Sequence, residues 1–424
     1  MKIFFKSFGC RVNQIETQSL LEAAERAGHE IVSGFEEAQL AVVNSCSVTG
    51  AADKDCLRLL RVISRRNQEC RILATGCIAA VMPEKIRENA PAAEIIPNSA
   101  KRDIPARFFG AASGEGFGWK ISAHRGHSRA FVKIQDGCAG SCNYCLVRLA
   151  RPDLSSKPLP ETLEELAGLV GNGYGELVLS GINIGNYKCP ATGADLAGLL
   201  RAVWKLDGDF RIRLSSIEAR NVDAALLDSA SAGGEKFCDY FHIPLQSGSD
   251  SVLKAMGRDY DAAFYLRAVE SVRGKWPGAG IYADVIAGYP AETRKDFETG
   301  LEFIESARLA GLHVFSFSPR PGTPASKLKQ LSPEVVRGRA EKLRALDKQL
   351  RRSFAGSLVN TAQRAVIEEC PAGFNGLAGN FVEVALSGEK PAGAFAEVRI
   401  LSAAGGKCRG EIIPEIPGKL KEER

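Results

Sequence analysis

Three cysteines within one short loop offer the most direct chemistry in this sequence. Gln135-Asp136-Gly137-Cys138-Ala139-Gly140-Ser141-Cys142-Asn143-Tyr144-Cys145 has the spacing Cys-x3-Cys-x2-Cys. Three thiolates this close can hold three irons of a cubane [4Fe–4S] cluster and leave the fourth iron open to a ligand. A zinc knuckle is the competing reading. Structural zinc wants four protein ligands, usually as repeated pairs, and no fourth Cys or His follows nearby.

Cys10, Cys46 and Cys77 are far apart in the chain, yet each follows an apolar run. The runs Lys2–Lys6, Leu40–Asn44 and Arg71–Gly76 read as strands, with helical periodicity over Gln14–Ala27 and Asp53–Arg66 between them. This is the rhythm of a small parallel sheet. In such a sheet the carboxyl ends of the strands share one edge, where ligands bind. The three cysteines therefore either converge on a second cluster with one open iron or act as small buried hydrophobes. Gly9 and Gly76 precede two of them and permit close backbone approach.

The cysteine loop follows the first of six further apolar runs: Ala130–Gln135, Glu176–Gly181, Phe210–Ser215, Tyr240–Ile243, Ile281–Ile286 and His313–Phe317. Helical patterns over Glu161–Val170, Asp195–Leu206, Asp261–Arg273 and Arg294–Ala310 separate several of them. Repeated βα units predict an open or partial (βα) barrel, with the loop on its carboxyl rim. The Gly-rich stretch Gly110–Gly118 reads as a linker. A helix over Pro333–Phe354 carries seven Arg/Lys against three Glu/Asp and suits either RNA contact or a solvated face. Beyond it, Ala365–Glu369, Phe381–Ala385 and Phe395–Leu401 read as short strands of a small β-barrel.

Bulk composition narrows the class. Hydrophobic residues at 45% and charged residues at 25% fit a soluble globular chain. No apolar run reaches ~18 residues, so no membrane association is expected. The start Met1-Lys2-Ile3-Phe4-Phe5-Lys6 is too short and polar for a signal peptide. Twelve cysteines in a cytoplasmic chain favour metal or catalysis over disulfides. A net charge of +5 permits a nucleic-acid partner without demanding one. Cys56, Cys70, Cys189, Cys238, Cys370 and Cys408 lack ligand spacing and read as incidental thiols. His124-x-x-His127 reads as part of a solvated linker.

The motifs together resemble the methylthiotransferase family of radical S-adenosylmethionine enzymes over nearly the whole chain. The loop's spacing, with Tyr144 before the last Cys, matches the superfamily signature. Phe8-Gly9-Cys10-Arg11-Val12-Asn13-Gln14, Asn44-Ser45-Cys46-Ser47-Val48 and Thr75-Gly76-Cys77 match the N-terminal cluster segments. His242-Ile243-Pro244-Leu245-Gln246-Ser247-Gly248-Ser249-Asp250, Asp284–Thr293 and Phe317–Ala325 match longer family motifs. The sequence departs at Ala80, at Ala139 and over Arg148–Asp153, which is less basic than usual and weakens the expected RNA contacts at the rim.

The resemblance implies an α/β chain of three domains: a Rossmann-like methylthiotransferase domain (1–115), a partial (βα)6 radical barrel (124–355) and a TRAM-like RNA-binding barrel (356–424). It implies two [4Fe–4S] clusters, one on Cys138, Cys142 and Cys145 that cleaves S-adenosylmethionine, and one on Cys10, Cys46 and Cys77 that delivers the methylthio group. Ser180 and Gly181 are candidate contacts to the methionine moiety. Ser216 and Glu218 are candidates for the ribose, and Gln246 for the same cofactor. For each of these the alternative is a loop residue satisfied locally. The segment Gly9–Gln14 most resembles the subgroup acting at C2 of tRNA N6-threonylcarbamoyladenosine, position 37, where the isopentenyladenosine subgroup has Gln-Met at the positions of Arg11 and Val12. The implied partners are a tRNA anticodon stem-loop, an electron-supplying reductase and a sulfur donor. Rival readings are methylthiolation of isopentenyladenosine or of a ribosomal-protein aspartate, and a non-catalytic iron–sulfur or zinc RNA-binding protein.

Overall fold

The computed structural model describes residues 1–47, 49–111, 118–370, 373–387 and 390–414. The predicted linker Gly110–Gly118 falls largely at 112–117, outside the described residues. Strands Lys2–Ser7, Glu30–Val32, Leu40–Ser45, Arg71–Gly76 and Glu94–Ile96 form one parallel sheet. Numbered along the chain, their order is 2-1-3-4-5. Every residue of Leu40–Ser45 is buried, because separate apolar clusters cover the two faces of the sheet. The order reverses between the first and third strands. That reversal opens a crevice at the carboxyl edge of an open α/β sheet, and Cys10 and Cys46 follow those two strands.

Six parallel strands build the central unit. Arg129–Lys133, Glu176–Ser180 and Arg211–Leu214 form one ribbon, and Tyr240–His242, Gly280–Ala287 and Gly311–Ser316 form another. Parallel bridges at Ile212/Phe237 and Ser216/His242 join them into the open barrel that the periodicity predicts. The first run ends earlier than predicted. Gln135 and Asp136 pair antiparallel with Ser155 and Ser156 instead, because the Gln135 amide turns back onto the Asp136 and Gly137 carbonyls at 2.7 and 2.8 Å.

The period of two divides these strands sharply. Ala130, Val132, Leu177, Leu179, Ile212, Leu214, Ile281 and Ala283 pack into the large apolar core under the helices. The alternate residues, including Arg129, Glu176, Arg211, Arg213, Tyr240, His242 and Asp284, face a polar lumen. At the amino ends of the strands, Glu176 accepts from Arg211 and Arg213 at 2.7–2.8 Å.

Those two guanidiniums also seat the C-terminal unit. Arg211 donates to the carbonyls of Arg364 and Leu377, and Arg213 to those of Ala378 and Gly379, at 2.7–3.1 Å. The unit is a closed barrel of Ala362–Cys370, Gly373–Ala378, Glu383–Ser387, Phe395–Ala404 and Lys407–Ile412. The second and fifth of these strands escaped the sequence reading because glycines interrupt their alternation. Closure needs them: a Cβ on Gly410 would stand 2.5 Å from the Arg399 carbonyl. Phe381, at a left-handed φ of 71°, inserts its ring into the lower mouth of the lumen, 4.7 Å from Tyr240 and beneath Arg213. The C-terminal barrel thus closes the end opposite the cysteine loop.

One buried carboxylate joins the N-terminal sheet to the central barrel. Glu16, on the helix Arg11–Arg26, accepts from Lys101 at 2.6 Å, Lys133 at 2.5 Å and Arg151 at 2.8 Å. Arg151 and Lys133 also reach Asp136 at 2.8 and 2.6 Å. Desolvation raises the Glu16 pKa, but the three cations outweigh it and hold the carboxyl well below its usual range. The less basic segment Arg148–Asp153 is therefore no weakened RNA contact at Arg151, which is 4% exposed and committed to this network. His124 also departs from expectation. It is buried against Phe131 and His127, with ring centroids 4.6 and 4.2 Å away.

Two outcomes follow. Glu16→Gln leaves three buried cations short of charge and lowers unfolding stability by about 3–5 kcal/mol in denaturant titration; a loss under about 1 kcal/mol would show that the network contributes nothing net. Burial pushes His124 down from 6.5 to about 4. The unfolded chain then binds a proton that the native state refuses, so His124 contributes stability fully above pH 6.5 and loses it as pH falls towards 4. His124→Phe should flatten that part of the stability–pH curve.

Candidate functional site

The cysteine loop is held open by contacts at both ends. Asn143 N–H donates to the Met256 carbonyl and its amide to the Ala255 carbonyl, both at 2.8 Å, while Ala325 N–H donates to the Asn143 carbonyl at 2.9 Å. The segment Leu253–Arg258 and the motif Phe317–Ala325 therefore shape the loop from either side. Gly137 takes a φ of +79°, and a Cβ there would lie 2.1 Å from the Asp153 carbonyl. The sulfurs have donors aimed at them. Gly140 N–H reaches Cys138 Sγ at 3.3 Å, Val147 N–H reaches Cys145 Sγ at 3.4 Å, and Arg258 Nη1 reaches Cys142 Sγ at 3.3 Å. Burial pushes the Cys145 thiol up to about 12. A metal must therefore displace its proton for the sulfur to bind as thiolate.

The strands that precede the other trio end together. Ser7 pairs with Asn44, and Ser45 with Gly76, so the three strand ends are level. Gly9 lies so close to Cys46 that a Cβ would stand 2.3 Å from its Sγ. Gly76, at φ +94°, presses on the Ser45 backbone. Desolvation raises the Cys10 thiol, Arg151 lowers it, and Cys77 raises it further, so these groups sense one another. Asn13 pins the turns, donating to the Phe8 and Ser45 carbonyls at 3.0 and 2.8 Å and accepting from Arg151 at 3.0 Å. Arg151 also serves the first loop, since its carbonyl accepts the Cys138 N–H at 3.3 Å. Nothing in the local sequence marks Asn13, Glu16 or Arg151 as partners; only the Asn13 place in a cysteine motif hinted at a role.

One cysteine of each trio, Cys77 and Cys145, lines a single cleft of about 880 Å³, counted to its open mouth. Ser47, Thr49 and Cys77 line it from the N-terminal sheet, and Tyr144, Cys145, Gln246, Asp284 and Arg320 from the central barrel. Arg320 closes one wall, paired with Asp53 and donating to Ser47 at 3.2 Å. A single tetrahedral zinc holds its sulfurs roughly 3.8 Å apart. Among the described residues, neither cysteine trio gathers its sulfurs within 4.8 Å of one another. Three sulfurs per site, with N–H donors aimed at those of the Cys138, Cys142 and Cys145 loop, suit iron–sulfur clusters.

The predicted cofactor contacts divide. Gln246 lines the cleft at a left-handed φ of 71°, locked by its N–H to the Asp284 carbonyl and its carbonyl to Ile286 N–H. Ser216 Oγ lies 3.1 Å from His242 Nδ1. Glu218 pairs with Arg258, the same residue that reaches Cys142, and so stands beside the loop. Ser180 is buried on the Val178 carbonyl at 3.2 Å, and Gly181 abuts Gln135. Of the incidental thiols, Cys56, Cys70, Cys189, Cys238 and Cys408 are buried and outside both trios.

Residues 2–97 match the family described as Uncharacterized protein family UPF0004, and residues 132–304 match the Radical SAM superfamily. Threonylcarbamoyladenosine tRNA methylthiotransferase MtaB of Thermotoga maritima is 37% identical over 78% of this chain and 77% of its own. The protein of the same name from Bacillus subtilis is 30% identical over 99% of this chain and 98% of its own. The radical S-adenosylmethionine methyltransferase TsrM from Kitasatospora setae, solved with cobalamin and a [4Fe–4S] cluster, superposes with a TM-score of 0.55 at 14% identity, covering 77% of each chain; that likeness is one of fold. With both cysteine segments inside the matched regions, the chain belongs to the radical S-adenosylmethionine methylthiotransferase family.

Proposed function

We propose that this protein methylthiolates tRNA at C2 of N6-threonylcarbamoyladenosine, position 37. One observation carries the reading: Cys77 of one trio and Cys145 of the other, held by different sheets, line a single cleft. A radical generator alone needs one trio. A second trio across the same cleft suits replacement of the hydrogen that the radical removes. The relatives named for threonylcarbamoyladenosine supply the substrate class.

In this reading the chain divides into 1–115, 124–355 and 356–424. Cys138, Cys142 and Cys145 hold one [4Fe–4S] cluster, and Cys10, Cys46 and Cys77 hold the other. Bound there, the clusters supply the reductive cleavage of S-adenosylmethionine and the sulfur for transfer, chemistry that side chains alone lack. The chain's own residues orient and shield. Arg258 and the Gly140 and Val147 amides place positive charge towards the sulfurs. Gln246, Ser216, Glu218, Ser180 and Gly181 position S-adenosylmethionine, and the surrounding cleft limits water.

The target base must leave its stack to enter the cleft. The C-terminal barrel sits at the far end of the strands, so an RNA held there must span the barrel's height, which a stem-loop does and a free nucleoside does not. Helix Pro333–Ser357 commits Arg339 to Glu292 and Arg351 to Asp347. Arg337, Lys342, Arg344, Lys348 and Arg352 are exposed and available to phosphates. A reductase and a sulfur donor complete the cycle, and the cytoplasm, with its tRNA, is the site of action. No helix among the described residues is long and apolar enough to cross a membrane.

Reconstituted protein should bind about eight irons. Replacing Cys10, Cys46 and Cys77 by Ala should halve that number and abolish methylthiolation, while 5′-deoxyadenosine is still formed. About one zinc, without 5′-deoxyadenosine, would sink the reading. Nucleoside mass spectrometry of tRNA from a deletion strain should lose methylthiolated threonylcarbamoyladenosine alone; its full retention would refute the substrate.

A further inference from the structure

Arg11 begins the helix after Cys10 and reaches the polar lumen past strand Arg129–Lys133, its guanidinium 5.4 Å from the centre of the Phe131 ring. Among the described residues it makes no hydrogen bond and no ion pair. Its neighbours show how unusual that is. Arg129, Arg211 and Arg213 all share Glu176, Arg151 has Glu16, Arg258 has Glu218 and Arg320 has Asp53. The side chain is only partly buried, so a ligand can reach it.

A polar path leads from the cleft towards it. Asp284 lines the cleft, and its Oδ1 meets His242 Nε2 at 2.8 Å and His313 Nδ1 at 3.2 Å. Tyr240, next along the inner face from His242, senses both Arg11 and Asp284. A planar guanidinium stacked on an aromatic ring, with its N–H edges unused, matches a carboxylate that it can grip with two parallel hydrogen bonds. In threonylcarbamoyladenosine the threonine is joined through its amine, so its carboxylate is free. The Watson–Crick edge that presents C2 also carries the N6 substituent. With C2 held at the cysteine-lined cleft, the substituent extends into the lumen.

We propose that Arg11 is a specificity residue that receives the carboxylate of an acidic N6 substituent on the target adenosine. The inference rests on the tRNA reading above and deepens it. The test uses full-length protein with both clusters reconstituted, as wild type, Arg11→Gln and Arg11→Lys. The probes are three anticodon stem-loop RNAs that carry threonylcarbamoyladenosine, its methyl ester or unmodified adenosine. Binding is read by fluorescence anisotropy, alongside iron content and 5′-deoxyadenosine formation without RNA.

Wild type should bind the acid about tenfold more tightly than the ester, which is about 1.4 kcal/mol. Arg11→Gln should erase that preference while keeping its iron and its RNA-free 5′-deoxyadenosine, and Arg11→Lys should keep part of it. An unchanged acid-over-ester preference in Arg11→Gln overturns the proposal. So does a loss of iron, or an equal weakening on all three RNAs, either of which marks a structural role. If wild type fails to methylthiolate the acid-bearing RNA, the tRNA reading itself falls. If it methylthiolates that RNA without preferring acid to ester, only the role of Arg11 falls.

Discussion

Glu16 is the point on which both halves of the site depend. A carboxylate at 1% exposure would be protonated or excluded were it alone, because an unpaired buried charge costs several kcal/mol. Lys101, Lys133 and Arg151 keep it ionised, and each comes from a different part of the chain. Arg151 then extends the constraint in two directions. Its side chain donates to Asn13, which fixes the turns before Cys10 and Cys46, and its carbonyl accepts from Cys138. The spacing between the two trios is thus set by one ion network rather than by either sheet. Counting Asp136, the network has three cations and two carboxylates. The surplus positive charge lies beside Cys10 and Cys77, where thiolates must be stabilised.

The central barrel turns ordinary barrel packing inside out. Its apolar face points outwards under the helices, while its lumen carries Arg, Glu, His, Asp and Tyr. In such a lumen each group left without a partner is costly. Glu176 meets this need at the lower end, where Arg211 and Arg213 then spend their remaining N–H groups on carbonyls of the C-terminal barrel. The docking of that barrel and the polarity of the lumen are one solution to one problem. Phe381, held in a left-handed turn, completes the closure below. The upper end faces the cleft, on the side where the cysteines lie.

Much of this was legible in the sequence. The Cys-x3-Cys-x2-Cys loop, the three cysteines after strand ends and the six βα runs each rest on local spacing, and local spacing survives folding. Even the common edge that carries Cys10, Cys46 and Cys77 could be read, because a parallel sheet aligns the ends of its strands. Elements without a period were missed. The strands Gly373–Ala378 and Lys407–Ile412 carry glycines where close chain crossings need them, and glycine erases the alternation that reveals a strand. His124 looked solvated among Arg and Ser, yet it is packed between two rings.

What the sequence determined by itself is the ligand chemistry: residue type and short spacing dictate what each loop can bind. Only the tertiary structure decided the partners. Arg151 lies 135 residues from Glu16, and no pattern links them. Nor does any pattern reveal that Arg11 stands beside Glu176 yet is left without a share of it. A side chain's charge is written in its code, but whether that charge is neutralised depends on which distant atoms the fold brings within about 3 Å. That depends on burial, and burial is a property of the packed chain as a whole.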